Sequence, residues 1–467
     1  MTRSNTSKSY FLRDYVKGEA LYNFWATIEK VLTAASVFFI LSSLDVFKYG
    51  TYILLFSFYH LTANILLRPL QEVIFNDVAR FSAEGKLAEA KKLYLESLVL
   101  KFIFALLLFL GVFWSAGAIA GYYGQDVTNL LRLLAVLYLI DASYTSMRMF
   151  FRLRLKFGLI AIRPVIFKAV RFILILLFLT FSKFGIREAV ISHVAASFAA
   201  AAILAPFFFL YYRSWTVVRA ARQGVLWGVI KRHGKWPIWG AVISRLVANI
   251  RPWAIKFFVN TEGVAIYSVA ESLYGALKNF FPSATLSALI PRELANRKRC
   301  EEILVRGTKY LTIIGLLIAL VGWLFVPPLV RLLLPHYVAA LPLYLALLFL
   351  LPVLSFRIMS VTFLVALRRQ KFLFLLDTAG LLGGIVLPLL LLYSFGLWGM
   401  PIERILQSVI IATLMFWYLV RKEYPMNFFR RFFRFDHGDR AFAKKIFSQL
   451  NYSRRNLRRT FSGLFFD

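Results

Sequence analysis

Apolar runs of about twenty residues recur along this chain between residues 21 and 420, separated by short polar stretches. An α-helix rises about 1.5 Å per residue, so such a run crosses the roughly 30 Å hydrocarbon core of a bilayer. The predicted spans are residues 21–41, 49–67, 98–122, 128–147, 159–182, 188–212, 236–259, 264–290, 310–334, 338–367, 372–395 and 399–420, about twelve helices. A helix satisfies its backbone polar groups internally, which lipid demands of any lone spanning segment. The pattern predicts an all-α, polytopic membrane protein.

The polar stretches alternate in charge. One set is basic: Arg80, Lys86, Lys91 and Lys92; Arg152, Arg154 and Lys156; Arg213 to Lys235; Arg292 to Arg306; Arg368, Arg369 and Lys371. The opposite set is short and nearly free of cations, with Lys48, Lys183 and Arg187 the exceptions. The positive-inside rule places the basic set and both termini in the cytoplasm. A weak internal repeat divides the chain near Lys235. Arg80–Lys86 matches Arg292–Lys298 at a shift of 212 (292 − 80), and Lys156-Phe157 matches Lys371-Phe372 at 215 (371 − 156). Six helices per half, each half starting on the same side, make a parallel repeat about an axis along the membrane normal. The expected domains are a cytoplasmic N-terminus (1–20), a first six-helix bundle (21–212), a basic linker (213–235), a second bundle (236–420) and a basic, aromatic tail (421–467). In the tail, Phe428 to Arg434 alternates aromatic and basic residues, which suits an amphipathic helix at the membrane surface.

Polar residues inside the spans fall at helical spacing. Ser57, His60, Asn64, Arg68 and Gln71 form one stripe; Ser268, Glu271, Gly275, Lys278 and Pro282 form another. In the seventh span Arg245, Asn249 and Lys256 share a face, from which Arg251 departs unless Pro252 kinks the helix. The first span offers Asn23, Thr27, Lys30 and Thr33, and further cations lie at Lys168, Arg171 and Arg357. A cation at mid-bilayer costs about 2.5–3.5 kcal/mol on insertion scales, so such residues face protein or water. Stripes at equivalent places in both halves predict a central cationic cavity that accepts an anion. Arginine and lysine bind phosphate as a fork or as a point charge. The acids Glu29, Asp141, Glu271 and Asp377, with His193, are candidates for proton coupling or partners for nearby cations. Tyr59, Trp253, Tyr267 and Tyr274 suit stacking on sugar rings or plain packing.

Composition agrees with a membrane protein. Of 467 residues 60% are hydrophobic and 17% aromatic, with a formal net charge of +33; mean hydropathy is +0.68. The cations cluster between spans, so nucleic acid is not the expected partner. Cys300 is the only cysteine, which excludes an intramolecular disulfide or a thiolate metal cluster. Residues 1–17 are polar and basic with no small-residue cleavage site after the first apolar run, so no removable signal peptide is expected. With no glycine-rich phosphate loop and no His/Cys metal spacing, no cofactor, metal or enzymatic activity is expected.

Val46-Phe-Lys-Tyr-Gly-Thr-Tyr52 followed by the segment from Arg80 to Lys92, and in the second half Tyr267-Ser-Val-Ala-Glu271, the segment from Ala288 to Ala295 and that from Leu334 to Pro342, carry a family resemblance. The chain up to about Arg421 resembles the O-antigen and polysaccharide flippases of the multidrug/oligosaccharidyl-lipid/polysaccharide (MOP) exporter superfamily. That resemblance implies a two-lobed, twelve-helix bundle moving an undecaprenyl-diphosphate-linked oligosaccharide across the bacterial cytoplasmic (inner) membrane by alternating access. It also implies membrane lipids and other polysaccharide-assembly membrane proteins as partners. The peptidoglycan-precursor flippases of the superfamily have fourteen helices, two more than expected here. A cation-coupled multidrug exporter and a membrane-embedded polysaccharide polymerase are the alternatives.

Overall fold

The computed structural model describes residues 25–66, 69–213, 215, 224–231, 235–281, 290 and 296–434. Among them there is no strand. The helices are α1 (Trp25–Ser43), α2 (Val46–Leu66), α3 (Pro69–Ala83), α4 (Leu87–Ala120), α5 (Thr128–Leu153), α6 (Phe157–Phe181), α7 (Ile186–Arg213) and a single turn α8 (Leu226–Val229). They continue as α9 (Lys235–Phe258), α10 (Thr261–Lys278), α11 (Arg297–Leu333), α12 (Leu341–Leu348), α13 (Leu350–Ala366), α14 (Gln370–Phe395), α15 (Gly399–Tyr418) and a short α16 (Phe428–Phe433).

Each predicted span overlaps one of these helices, the tenth being the bent pair α12 and α13. By length and apolar composition, seven helical stretches among the described residues can cross a membrane, or eight with the bent pair, whose break is 41°. One stretch, Gln370–Glu423, contains both α14 and α15. Outside that count stand α2, α9 and α10, the helices that carry the polar stripes. Their lower hydropathy is the mark of the polar residues they bring into the bundle. The basic stretch around Arg80 differs from the expected loop: it is largely the helix α3. Similarly, α4 and α11 (34 and 37 residues) outrun a bilayer and carry flanking cations near their starts, Lys91 and Lys92 on α4 and Arg297 to Arg299 on α11.

By contact the chain forms two compact units. One comprises Met1–Ala270, Pro328–Leu343 and Gly384–Met400; the other comprises Glu271–Pro327, Tyr344–Gly383 and Pro401–Asp467. In the first, α4 packs along α5, α6 along α7 and α2 along α9. A Cβ on Gly50 of α2 would overlap the Thr261 carbonyl oxygen, so only glycine permits that approach. In the second unit Phe363, Leu364, Met359, Leu304 and Met415 make the core.

The tail expectation is revised where the residues are described. Phe428 of α16 is 2% exposed and meets Phe416 edge-on, and Phe432 packs against Phe356. These rings thus join the core of the second unit instead of facing lipid, while Arg430, Arg431 and Phe433 stay exposed. Ion pairs Arg369–Glu423 (2.7 Å) and Arg431–Glu301 (3.2 Å) fasten the segment. Residues 435–467 lie outside the described residues, as do Arg68 and the segment from Ala288 to Ile290's neighbours 291–295, apart from Ile290 itself.

Three inter-helix turns share one geometry. After α3, α5 and α13, a residue with positive φ follows the helix end: Gly85 (76°), Leu155 (55°) and Arg368 (59°). At each, the next amide donates to a carbonyl five residues back: Lys86 to Phe81, Lys156 to Phe151 and Arg369 to Leu364. This closes the last carbonyls of a helix without further residues. Leu155 and Arg368 are 213 positions apart (368 − 155), close to the 212 and 215 of the sequence matches. The two halves therefore share this turn, while the full six-plus-six repeat remains a reading of the sequence.

A left-handed conformation costs an L-residue roughly 1–2 kcal/mol, a strain glycine does not bear. Leu155 is 71% exposed and has little packing to lose. Leu155→Gly is expected to raise the melting temperature of the detergent-purified protein, by an amount corresponding to about 1 kcal/mol. An unchanged or lower value would show that the turn is not strained.

Candidate functional site

Within the second unit, two helices each turn a polar face, and a third an apolar face with one arginine, toward a shared cavity of about 250 Å³. From α10 come Tyr274 and Lys278, spaced i, i+4; from α15 come Arg404, Gln407 and Ser408, spaced i, i+3, i+4. Arg357 of α13 adds a third cation, one turn beyond Val353 and Leu354. Among the described residues no carboxylate lines the cavity. Glu271 stands just beside it on α10, where its Oε1 accepts from Nη2 of Arg404 at 2.6 Å. That pair is partly open, with 32% of the Arg404 side chain and 41% of the Glu271 side chain exposed. One acid against three cations leaves a net positive site. Two arginine forks and a lysine ammonium are the donors that phosphate oxygens take.

Lys278 and Arg357 are thus the two sequence-predicted cations that line this cavity. The partner of Glu271 is Arg404 rather than the nearer Lys278. Sequence reasoning missed Arg404, Gln407 and Ser408, although their helical spacing inside the apolar run 399–420 is the same signal that marked the other stripes.

In the first unit the predicted residues are largely engaged by the protein itself. Arg171 of α6, 7% exposed, donates through Nη2 to the Tyr52 hydroxyl at 2.6 Å. On the same helix Lys168 is half-buried, and the Arg163 guanidinium lies 3.9 Å from the centre of the Tyr144 ring. His193 of α7 sits between Phe56 (4.4 Å) and Phe167 (5.0 Å). His60 lies against Phe56 and Tyr59, and the Tyr59 hydroxyl donates to Asp141. These groups form a packed polar and aromatic layer among α2, α5, α6 and α7.

The seventh-span stripe divides. Ser57 Oγ donates to the Asn249 carbonyl (2.7 Å), and Asn249 Nδ2 donates to the Arg245 carbonyl (2.7 Å), which knits α2 to α9. Lys256 directs its ammonium to the Tyr123 carbonyl (3.1 Å) and the Thr261 hydroxyl (2.9 Å). Arg245 is half-buried. At the two ends of the chain's order, Lys30 is exposed and Glu29 half-buried on α1, and Asp377 is exposed on α14. Arg68 and the Asn64 side chain lie outside the described residues. Among the described residues no group of three His, Cys, Asp or Glu is placed to hold a metal ion.

No protein-family profile matches the chain, and no curated protein matches it in sequence. Solved structures do match. The inward-facing conformation of a multidrug resistance MATE family transporter of the MOP superfamily aligns with 84% of this chain and 93% of its own, with 15% identity and a TM-score of 0.66. The lipid II flippase MurJ, in its inward closed conformation, aligns with 86% of this chain and 88% of its own, at 14% identity and a TM-score of 0.64. An outward-facing MATE family transporter gives 86% and 93%, 15% identity and a TM-score of 0.58. At such identities the likeness is one of fold. The chain is a multi-pass helical membrane protein with the fold of the MOP-superfamily transporters.

Proposed function

We propose that this protein is a flippase for a lipid-linked oligosaccharide, carried on an undecaprenyl-diphosphate-type lipid across the bacterial cytoplasmic membrane for surface-polysaccharide synthesis. The observation that carries this reading is the cavity of Lys278, Arg357 and Arg404 between α10, α13 and α15. A diphosphate balances the positive charge that the single carboxylate of Glu271 leaves over among these three cations, and alternating access supplies the path. The fold is shared with a lipid II flippase and with multidrug transporters. Between those two, electrostatics favours the anionic cargo, because a cationic drug would be repelled by the same three residues. A polymerase would need a sizeable outward loop to hold its acceptor, whereas the connection between α9 and α10 is two residues long. Membrane lipids and other polysaccharide-assembly membrane proteins are the proposed partners, with both termini in the cytoplasm.

Depletion of the protein, followed by extraction of lipid-linked sugars, tests the reading. One oligosaccharide-diphosphate lipid is expected to accumulate on the cytoplasmic face. Unaltered lipid-linked sugars together with gradient-driven dye efflux would instead establish the multidrug reading.

Two substitutions probe the cavity itself. A hydrogen bond to a charged group contributes about 1.5–3 kcal/mol, so Arg404→Ala is expected to slow glycan export about 10- to 100-fold at normal protein levels. Export at the wild-type rate would remove Arg404 from the mechanism. Glu271→Gln takes away the competing carboxylate of a half-exposed pair, for which up to about 1 kcal/mol is expected. Inorganic pyrophosphate should then bind up to about fivefold more tightly to the purified protein. Weaker binding would show that Glu271 positions Arg404 instead of competing for it.

A further inference from the structure

A second, larger depression lies in the same unit, a groove of about 960 Å³ between α13, α15 and the segment that folds back after α15. Its walls are apolar, with Val353 and Phe356 from α13 and Val409 and Phe416 from α15. Its rim at the end of α15 carries Arg421 and Arg430, and among the described residues no acid lines it. We propose that this groove is a binding site for an anionic phospholipid of the adjacent leaflet. The phosphate lies between Arg421 and Arg430, and an acyl chain runs inward along α15.

The arrangement of charge along the groove argues for this occupant. A phospholipid places its phosphate at the membrane surface and its chain toward the midplane. The groove has the same order, with arginines at the helix end and hydrocarbon toward the helix middle. Val409 and Val420 are eleven residues apart, about 16 Å along a helix, which is half of the roughly 30 Å hydrocarbon core. One leaflet fits that length. Trp417, 55% exposed, lies at the groove's surface end, the depth that indole rings favour at a membrane interface.

The two rim arginines also differ from their neighbours. Arg369 and Arg431 face carboxylates at 2.7 Å and 3.2 Å, whereas Arg421 and Arg430 pair with no carboxylate among the described residues. Their positions are fixed from behind. Phe428 is seated in the core against Phe416, and Lys309 Nζ holds the Arg434 carbonyl at 2.7 Å. An isoprenoid chain whose diphosphate sat in the cavity near Val353 would run the other way, ending its hydrocarbon among the arginines. The charge order disfavours that occupant, and the lipid site stands whatever the cavity carries.

Native mass spectrometry of the full chain in detergent, titrated with phosphatidylglycerol and with phosphatidylcholine, tests the site. Wild type is expected to retain phosphatidylglycerol preferentially. Arg421→Gln with Arg430→Gln should weaken that retention about 25-fold, from about fivefold for each basic residue near the surface. Val409→Trp, which fills the groove and leaves both arginines in place, should also weaken it. The control Arg368→Gln with Lys371→Gln, a basic pair in the turn after α13, should not. Equal retention of the two lipids, retention unchanged in both groove variants, or a prenyl diphosphate as the species held by the arginines would overturn the proposal. If the double variant does not fold, Val409→Trp alone decides.

Discussion

A cation placed within a membrane-spanning helix must be given a partner or water, because hydrocarbon offers neither. The protein meets that constraint in two ways. Arg171 finds the Tyr52 hydroxyl, and Lys256 finds the Tyr123 carbonyl and Thr261. The contacts to Tyr52 and Tyr123 join segments distant in sequence, so the cost of the charge becomes the specificity of the fold. Lys278, Arg357 and Arg404 are treated differently. They converge on a cavity with a single, half-open acid beside them. The first solution builds a scaffold, and the second leaves a site with charge to offer.

The same constraint explains which helices look least like membrane spans. Polar side chains lower the hydropathy of α2, α9 and α10, yet these helices hold the buried seam at Ser57 and Asn249 and one wall of the cavity. The close passage of Gly50 past the Thr261 carbonyl shows how tightly that seam is drawn. Helices such as α4 and α11, apolar nearly throughout their spans, turn more of their surface outward: Trp114 of α4 and Trp323 of α11 are 80% and 56% exposed.

Much of this was legible in the sequence because the bilayer imposes a simple code of run length and charge. The spans, the basic turns and the polar stripes follow from local spacing, and so do Lys278 and Arg357 as candidates. Partner choice was not legible. Glu271 is seven residues from Lys278 and 133 from Arg404, and only the packed structure shows that it takes the distant arginine. The burial of Phe428 was hidden for a related reason. A run of alternating Phe and Arg reads as a membrane-surface helix until a core with room for its rings is known. Leu155 and Arg368 were invisible too, since neither residue type signals a left-handed turn.

The ion pair between Glu271 and Arg404 has an electrical consequence. Moving one elementary charge through a membrane potential of 100 mV changes its energy by about 2.3 kcal/mol. A site of three cations would carry three charges through that field whenever it moved empty. With Glu271 attached, it carries two (3 − 1). Under the proposed function the resident carboxylate acts as ballast for the unloaded site, making its return less sensitive to the voltage of an energised membrane.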